Sequence, residues 1–299
     1  MMVLLHMVEF AKYKKVILIL IAAILITLFL WYEDNAVTVS RYNIKSSRLP
    51  QKFEGFKIVQ ISDFHNKVFA KNDKVLIEKI KAERPDIIVI TGDLIDRRRY
   101  DEEKAMILIR GIKGIAPVYY APGNHEALSG TYESLRKKLT QNGVILLENE
   151  AIHLKRKNNS ISVIGIKDPA FSAKRNGESN KNYKIVQGEI EKIIKTNMTH
   201  EERDLSNYKI LLSHRCELMD LYAKEDIDVI FTGHAHGGQI NIPFIGGLIA
   251  PNQGFFPKYY KGTYKENNTV MVVSRGLGNS LAPFRIFNRP EIVSVTLSR

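Results

Sequence analysis

Apolar positions fall into three patterns along the chain. From Val16 to Tyr32 they run on without a charge and without the polar face of an amphipathic helix. At 1.5 Å of rise per residue, this run sits near the short end of what crosses a bilayer as a helix. Short, nearly saturated runs come later, at 56–62, 86–91, 116–122, 209–214, 227–232, 270–274 and 292–297, the form taken by buried strands. Between the first of these, helical spacing predicts helices over 73–83 and 101–112. Asn72 or Asp73 caps the first of these, Pro85 stops it, and the second opens at Asp101. Thr131 opens a further helix ending near Gly143. Closely spaced strands at 144–148, 151–155 and 160–166 predict hairpin connections around the Lys157-Asn158-Asn159 turn.

The β-α-β-α-β order predicts an α/β fold with a mixed sheet. Three segments are expected: an N-terminal membrane anchor (1–34), an extended lead-in (35–55) and a single domain (56–299). In the lead-in, Val37-Thr38-Val39 can pair as an edge strand. Residues 167–207 turn polar apart from a helical pattern at 185–195, and 237–264 is rich in Gly, Pro and aromatic residues.

The flanks of the apolar run set its expected topology. Lys12, Lys14 and Lys15 precede it, Glu33 and Asp34 follow it, and Trp31 and Tyr32 mark its far end. Basic residues stay on the cytoplasmic side and aromatic rings prefer the interface, so the N-terminus is expected inside and the domain outside. A cleaved signal peptide needs small residues at its exit, where this chain has Leu28-Phe29-Leu30-Trp31-Tyr32, so an uncleaved single-pass anchor is the expectation.

Composition adds less. Net charge is +12, but no helix-turn-helix, zinc-finger or RNA-binding signature accompanies it, and no nucleic-acid partner is expected. One cysteine, Cys216, excludes an intramolecular disulfide and a Cys-rich zinc site. Its apolar neighbours predict a buried thiol.

Chemistry gathers where the saturated runs end. Asp63-Phe64-His65, Gly92-Asp93 with Asp96, Gly123-Asn124-His125-Glu126, Ser213-His214 and Gly233-His234-Ala235-His236 all lie at carboxyl ends of expected strands, where open α/β sheets bind ligands. Each alone is ordinary: a Gly-Asp pair is usually a turn, and a lone His after a strand is usually structural. Together, Asp63, His65, Asp93, Asn124, His214, His234 and His236 offer carboxylate, amide and imidazole donors with no thiolate. That set suits Mn²⁺, Fe²⁺ or Zn²⁺. Seven donors are too many for one divalent ion and about right for two that share a carboxylate.

In this order, Asp63-x-His65, Gly92-Asp93-x-x-Asp96, Gly123-Asn124-His125-Glu126, His214 and Gly233-His234-x-His236 resemble the calcineurin-like metallophosphoesterase superfamily. The anchor and the segment from Gly237-Gly238-Gln239 to Arg289-Pro290 are similar to its membrane-associated bacterial branch, which includes hydrolases of UDP-diacylglucosamine. The resemblance implies mixed sheets packed as a sandwich with flanking helices. It also implies two divalent ions roughly 3.5–4 Å apart. One would be held by Asp63, His65 and His236 and the other by Asn124, His214 and His234, with Asp93 bridging. A water acidified between the ions would attack phosphorus in line.

The same resemblance makes His125 a non-ligand that serves the leaving-group oxygen, with Asp96 orienting its ring. Arg97 is the candidate for substrate phosphate. The expected protein is thus a monomeric, membrane-anchored phosphohydrolase of a phosphodiester, pyrophosphate or phosphomonoester, lipid-linked substrates included. The competing readings are a scaffold that has lost the chemistry and a nuclease. Arg275, Asn279 and Arg285 are weaker substrate candidates. Phe255, Phe256, Tyr259 and Tyr260 could rim the site. Glu126 has no role beyond holding its loop.

Overall fold

The computed structural model describes residues 2–172, 208–279 and 282–299. Helix α1 (Met2–Asn35) carries the long apolar run, and its Tyr13–Asn35 stretch is long and apolar enough to cross a membrane. Strands β1 (Thr38–Lys45), β2 (Lys57–Ile61), β3 (Ile87–Thr91), β4 (Val118–Ala121) and β5 (Ile145–Leu146) follow. Helices α2 (Lys74–Ala82), α3 (Glu102–Ile112), α4 (Asn124–Ser129) and α5 (Tyr132–Gln141) are set among them. Next come β6 (Glu150–Arg156), β7 (Asn159–Gly165), β8 (Lys209–Arg215) and β9 (Val229–Gly233). Two short ribbons pair β10 (Asn241–Ile242) with β11 (Gly246–Gly247) and β12 (Ile249–Ala250) with β13 (Gly254–Phe255). The chain closes with β14 (Gly262–Glu266), β15 (Thr269–Val273) and β16 (Glu291–Ser298).

Two mixed six-stranded sheets result. The first has the order β1-β16-β2-β3-β4-β5, with β2 to β5 parallel and β16 antiparallel to β2. The second has the order β14-β15-β9-β8-β7-β6, with β15, β9, β8 and β7 parallel between antiparallel edges. Alternation along each strand divides its side chains between two faces. Ile58, Val89 and Val295 of the first sheet meet Val163, Ile210, Leu212, Phe231 and Val272 of the second in one buried cluster. The opposite face of the first sheet, through Val59, Ile88 and Ile90, packs under Leu76 and Ile80 of α2, Leu108 and Ile109 of α3, and Leu135 of α5. Leu211, Ile230 and Met271 cover the outer face of the second sheet together with Met219 and Tyr222. The sheets form the expected sandwich with flanking helices, and the saturated runs are strands buried on both faces.

Several features depart from the sequence reading. The edge strand expected at 37–39 runs from Thr38 to Lys45 and lies parallel to β16 along its whole length, so the lead-in is part of the first sheet. Helix α4 and strand β14 were not anticipated, because neither has an apolar period of its own. Asp73 precedes α2 but caps nothing, and accepts the Phe69 amide instead. The helix expected at 185–195 lies outside the described residues. Cys216 is fully buried, which pushes its thiol well above the usual range.

Candidate metal centre

The carboxyl ends of β2, β3 and β4 meet those of β8 and β9 at one edge of the sandwich, and the backbone there is tightly bent. Asp63, His65, Asp93, His234 and His236 all have φ between 48° and 68°, the left-handed region that L-residues seldom occupy. Three glycines permit the crowding. A Cβ on Gly92 (φ 82°) would stand 2.6 Å from the Gly123 Cα and 2.7 Å from His214 Nδ1. One on Gly123 would meet Asp93 Oδ1 at 2.4 Å, and one on Gly233 would meet Asp63 Oδ2 at 2.2 Å. Gly92→Ala combines left-handed strain with overpacking, each costing of order 1–3 kcal/mol. Its melting temperature is expected to fall by roughly 5 °C or more, and an unchanged melting curve would show that the bend tolerates a side chain.

Two groups of side chains that share Asp93 converge at this edge, and a third joins His65 to Asp96 and His125. In the first, Asp63, His65, Asp93 and His236 bring one donor atom each to within 4.8 Å of the others. The Nε2 atoms of His65 and His236 approach to 3.3 Å, His236 Nε2 lies 3.4 Å from Asp63 Oδ1, and His65 Nε2 lies 3.5 Å from Asp93 Oδ2. In the second, Asp93 joins His214 and His234. His214 Nε2 is 3.2 Å from Asp93 Oδ2 and 3.1 Å from His234 Nδ1. Both groups share Asp93. Asn124, the first residue of α4, has a buried Oδ1 with no partner among the described residues.

Supporting contacts fix these side chains. Asp63 accepts from the Ser62 hydroxyl at 2.6 Å and from the His234 amide, and Asp93 Oδ1 accepts from the His125 amide at 2.8 Å. A register shift in β8 between Leu212 and Arg215 redirects His214 across to the first sheet, as bulges do. There its Nδ1–H donates to the Thr91 carbonyl at 2.8 Å, which turns Nε2 toward Asp93. Such a tautomer-fixing bond on the far ring nitrogen is usual for metal-binding imidazoles.

Beside these groups stands His125, with Nε2 4.0 Å from Asp93 Oδ2. Its Nδ1 accepts the Arg97 amide at 3.2 Å, which places the proton of the neutral ring on Nε2, and Asp96 Oδ1 lies 3.4 Å away. Asp96 is itself held by Arg98 and Arg99, both donating to its carboxylate. Arg97 is exposed, and its guanidinium has no partner among the described residues. Glu126 is completely buried and accepts four backbone amides, those of Asp93, Leu94, Ile95 and Gly123. It thereby ties the loop after β3 to the loop after β4.

Residues 56–238 match the family model described as calcineurin-like phosphoesterase. The chain belongs to this family. It is 31% identical over 275 residues to the "uncharacterized metallophosphoesterase YkuE" of Bacillus subtilis, covering 89% of this chain and 87% of that one. An uncharacterized metallophosphoesterase of Aquifex aeolicus is 27% identical and covers 92% of this chain and 97% of its own length. Among solved structures, a dimetal phosphatase from Danio rerio aligns over 81% of this chain and 99% of its own, at 12% identity and a TM-score of 0.45. The protein is a metal-dependent phosphoesterase.

The electrostatics of the phosphoesterase site suit bound cations. Burial pushes the Asp63 carboxyl up to about 6 against the pull of His214, with Asp93 adding to the rise. Burial also holds His65 and His234 well below the usual imidazole range and His236 down at about 3, so these rings keep their lone pairs. Burial opposes charge on His214 too, yet Asp93 lifts it to about 10, so without a cation Nε2 also holds a proton toward Asp93, one that a bound ion would displace. Buried carboxylates beside a partnerless Asn124 amide oxygen and uncharged imidazoles are the arrangement that a divalent ion relieves.

Glu126 holds its loop as the sequence suggests, and its four-amide grip extends to the loop after β3. Two contacts had no such signal. Asn252, on the β12–β13 turn, donates to His234 Nε2 at 2.9 Å and to Glu217 at 3.0 Å, and nothing in its local sequence marked it. The orienting of His125 falls first to the Arg97 amide. The weaker candidates are structural: Arg275 pairs with Glu291, Asn279 donates to Asp34, and the buried Arg285 donates to the carbonyls of Arg275, Gly278 and Asn288.

Proposed function

We propose that the chain is a dinuclear phosphohydrolase in which Asp63, His65 and His236 hold one divalent ion, Asn124, His214 and His234 hold another, and Asp93 bridges them. The observation that carries this reading is the position of Asp93, whose Oδ2 is within 3.5 Å of His65 Nε2 on one side and 3.2 Å of His214 Nε2 on the other. Mn²⁺, Fe²⁺ and Zn²⁺ all suit this donor set. When bound, the ions supply an acidified water and neutralise charge on the phosphoryl oxygens. His125 serves the leaving group: protonated on both nitrogens, with Nδ1–H turned to Asp96 in place of the Arg97 amide, the ring gives its Nε2 proton to the departing oxygen and is left neutral. Arg97 presents its guanidinium to substrate phosphate.

The substrates are phosphodiesters, pyrophosphates or phosphomonoesters, lipid-linked ones among them. Helix α1 spans the membrane with Lys12, Lys14 and Lys15 on the cytoplasmic side and the catalytic unit outside. The test is hydrolysis of bis- and mono-p-nitrophenyl phosphate by the purified chain, with Mn²⁺ and with chelator. Turnover is expected with Mn²⁺ and not with chelator. A folded, Mn²⁺-loaded protein that cleaves no phosphoester would overturn the proposal.

A further inference from the structure

We propose that the face formed by Phe244, Ile245 and Phe287 is seated in the interfacial layer of a lipid bilayer beside α1, so that the metal centre works at the membrane surface. This rests on α1 as a membrane span. Phe244 and Ile245, in the turn joining β10 to β11, are 109% and 64% exposed, and Phe287 is 55% exposed. Large apolar side chains exposed together at a loop tip mark a surface that meets another phase or partner. The three share one groove with Tyr260 and Lys261. The Phe287 ring also meets the Phe29 ring of α1 edge-on, with centroids 5.5 Å apart. The apolar surface of the helix therefore meets that of the domain at this pair of rings. That continuity selects lipid as the occupant.

The polar groups around this face sit where a bilayer surface requires them. Trp31 and Tyr32 close the apolar run, and Arg289 donates to the Tyr32 hydroxyl at 3.0 Å. Lys261 lines the groove and donates to Asn241 Oδ1 at 2.7 Å. Cations beside an apolar face favour contact with an anionic lipid surface. The helix is also locked onto the domain. Glu33 accepts the Asn288 amide at 2.9 Å, and Asp34 accepts Lys67 and Asn279, each at 2.6 Å. Asn288 in turn donates to the His236 carbonyl at 2.8 Å. The end of the span is thus two hydrogen bonds away from a residue of the centre.

Trp31 is the only tryptophan of the chain, which permits a direct test. The full-length protein and its Trp31→Phe/Phe244→Trp variant are placed in phosphatidylethanolamine–phosphatidylglycerol vesicles carrying phospholipid brominated near the top of its acyl chain. Both tryptophans are expected to lose most of their emission. Quenching of Trp31 with none at position 244 would overturn the docking face while leaving the span intact. Absence of quenching at both positions would remove the span itself, and the proposal with it. Shielding of position 244 from acrylamide without bromine quenching would mean that a protein, or a second copy of this chain, covers the face instead, and would also overturn it.

Discussion

The Asp93→Ala protein is expected to bind fewer than two Mn²⁺ ions and to lose turnover by well over about a hundredfold. Changes in groups that merely orient a metal ligand already cost roughly 10–100-fold, and Asp93 touches both halves of the centre. Its Oδ2 is the charge closest to His214 and lies within 3.5 Å of His65, while Oδ1 accepts the amide that starts the His125 turn. Removing it leaves His65, His214 and His234 facing one another with no anion between them. Asp93→Asn is the sharper variant because it keeps the shape while removing the charge. It is expected to lose metal nearly as completely. Metal analysis after gel filtration, beside circular dichroism to establish folding, decides the matter. A folded variant that retains two ions would show that Asp93 is not shared.

His125→Ala is expected to behave in the opposite way, keeping both ions while turnover falls by roughly 10²–10⁴, the range for loss of a positioned acid or base. The effect should depend on the leaving group. An alkyl phosphate departs as a strongly basic oxygen and needs the Nε2 hydrogen, whereas p-nitrophenolate departs largely unaided. The variant is therefore expected to lose far more activity on the alkyl ester. Equal losses on both esters would contradict the leaving-group role, and loss of metal would make His125 a ligand.

Much of this centre was legible in the sequence for a physical reason. Strands buried on both faces must be apolar throughout, so a polar residue ends them visibly, and Asp63, Asp93, Asn124, His214 and His234 each stand at such an end. What was hidden depended on distance along the chain. That β16 enters the first sheet between β1 and β2 is a pairing across more than two hundred residues, and no local pattern encodes it. Helix α4 has only six residues and opens with Asn124-His125-Glu126, side chains turned to the centre and its loops, so it shows no apolar stripe. Asn252 reaches His234 from a turn between two-residue strands, too short to register as periodicity. Arg275 and Arg285 illustrate the converse. As charged residues in a glycine-rich segment they resembled phosphate ligands, yet folding spends them on Glu291 and on backbone carbonyls.

Asp93 shared between two ions is the claim on which the rest depends, and electron paramagnetic resonance of the Mn²⁺-loaded protein tests it most directly. Two Mn²⁺ ions joined through one carboxylate are magnetically coupled. The account predicts the spectrum of an exchange-coupled pair, reverting to isolated Mn²⁺ in Asp93→Asn. A fully loaded, folded protein that shows only isolated Mn²⁺ would contradict it.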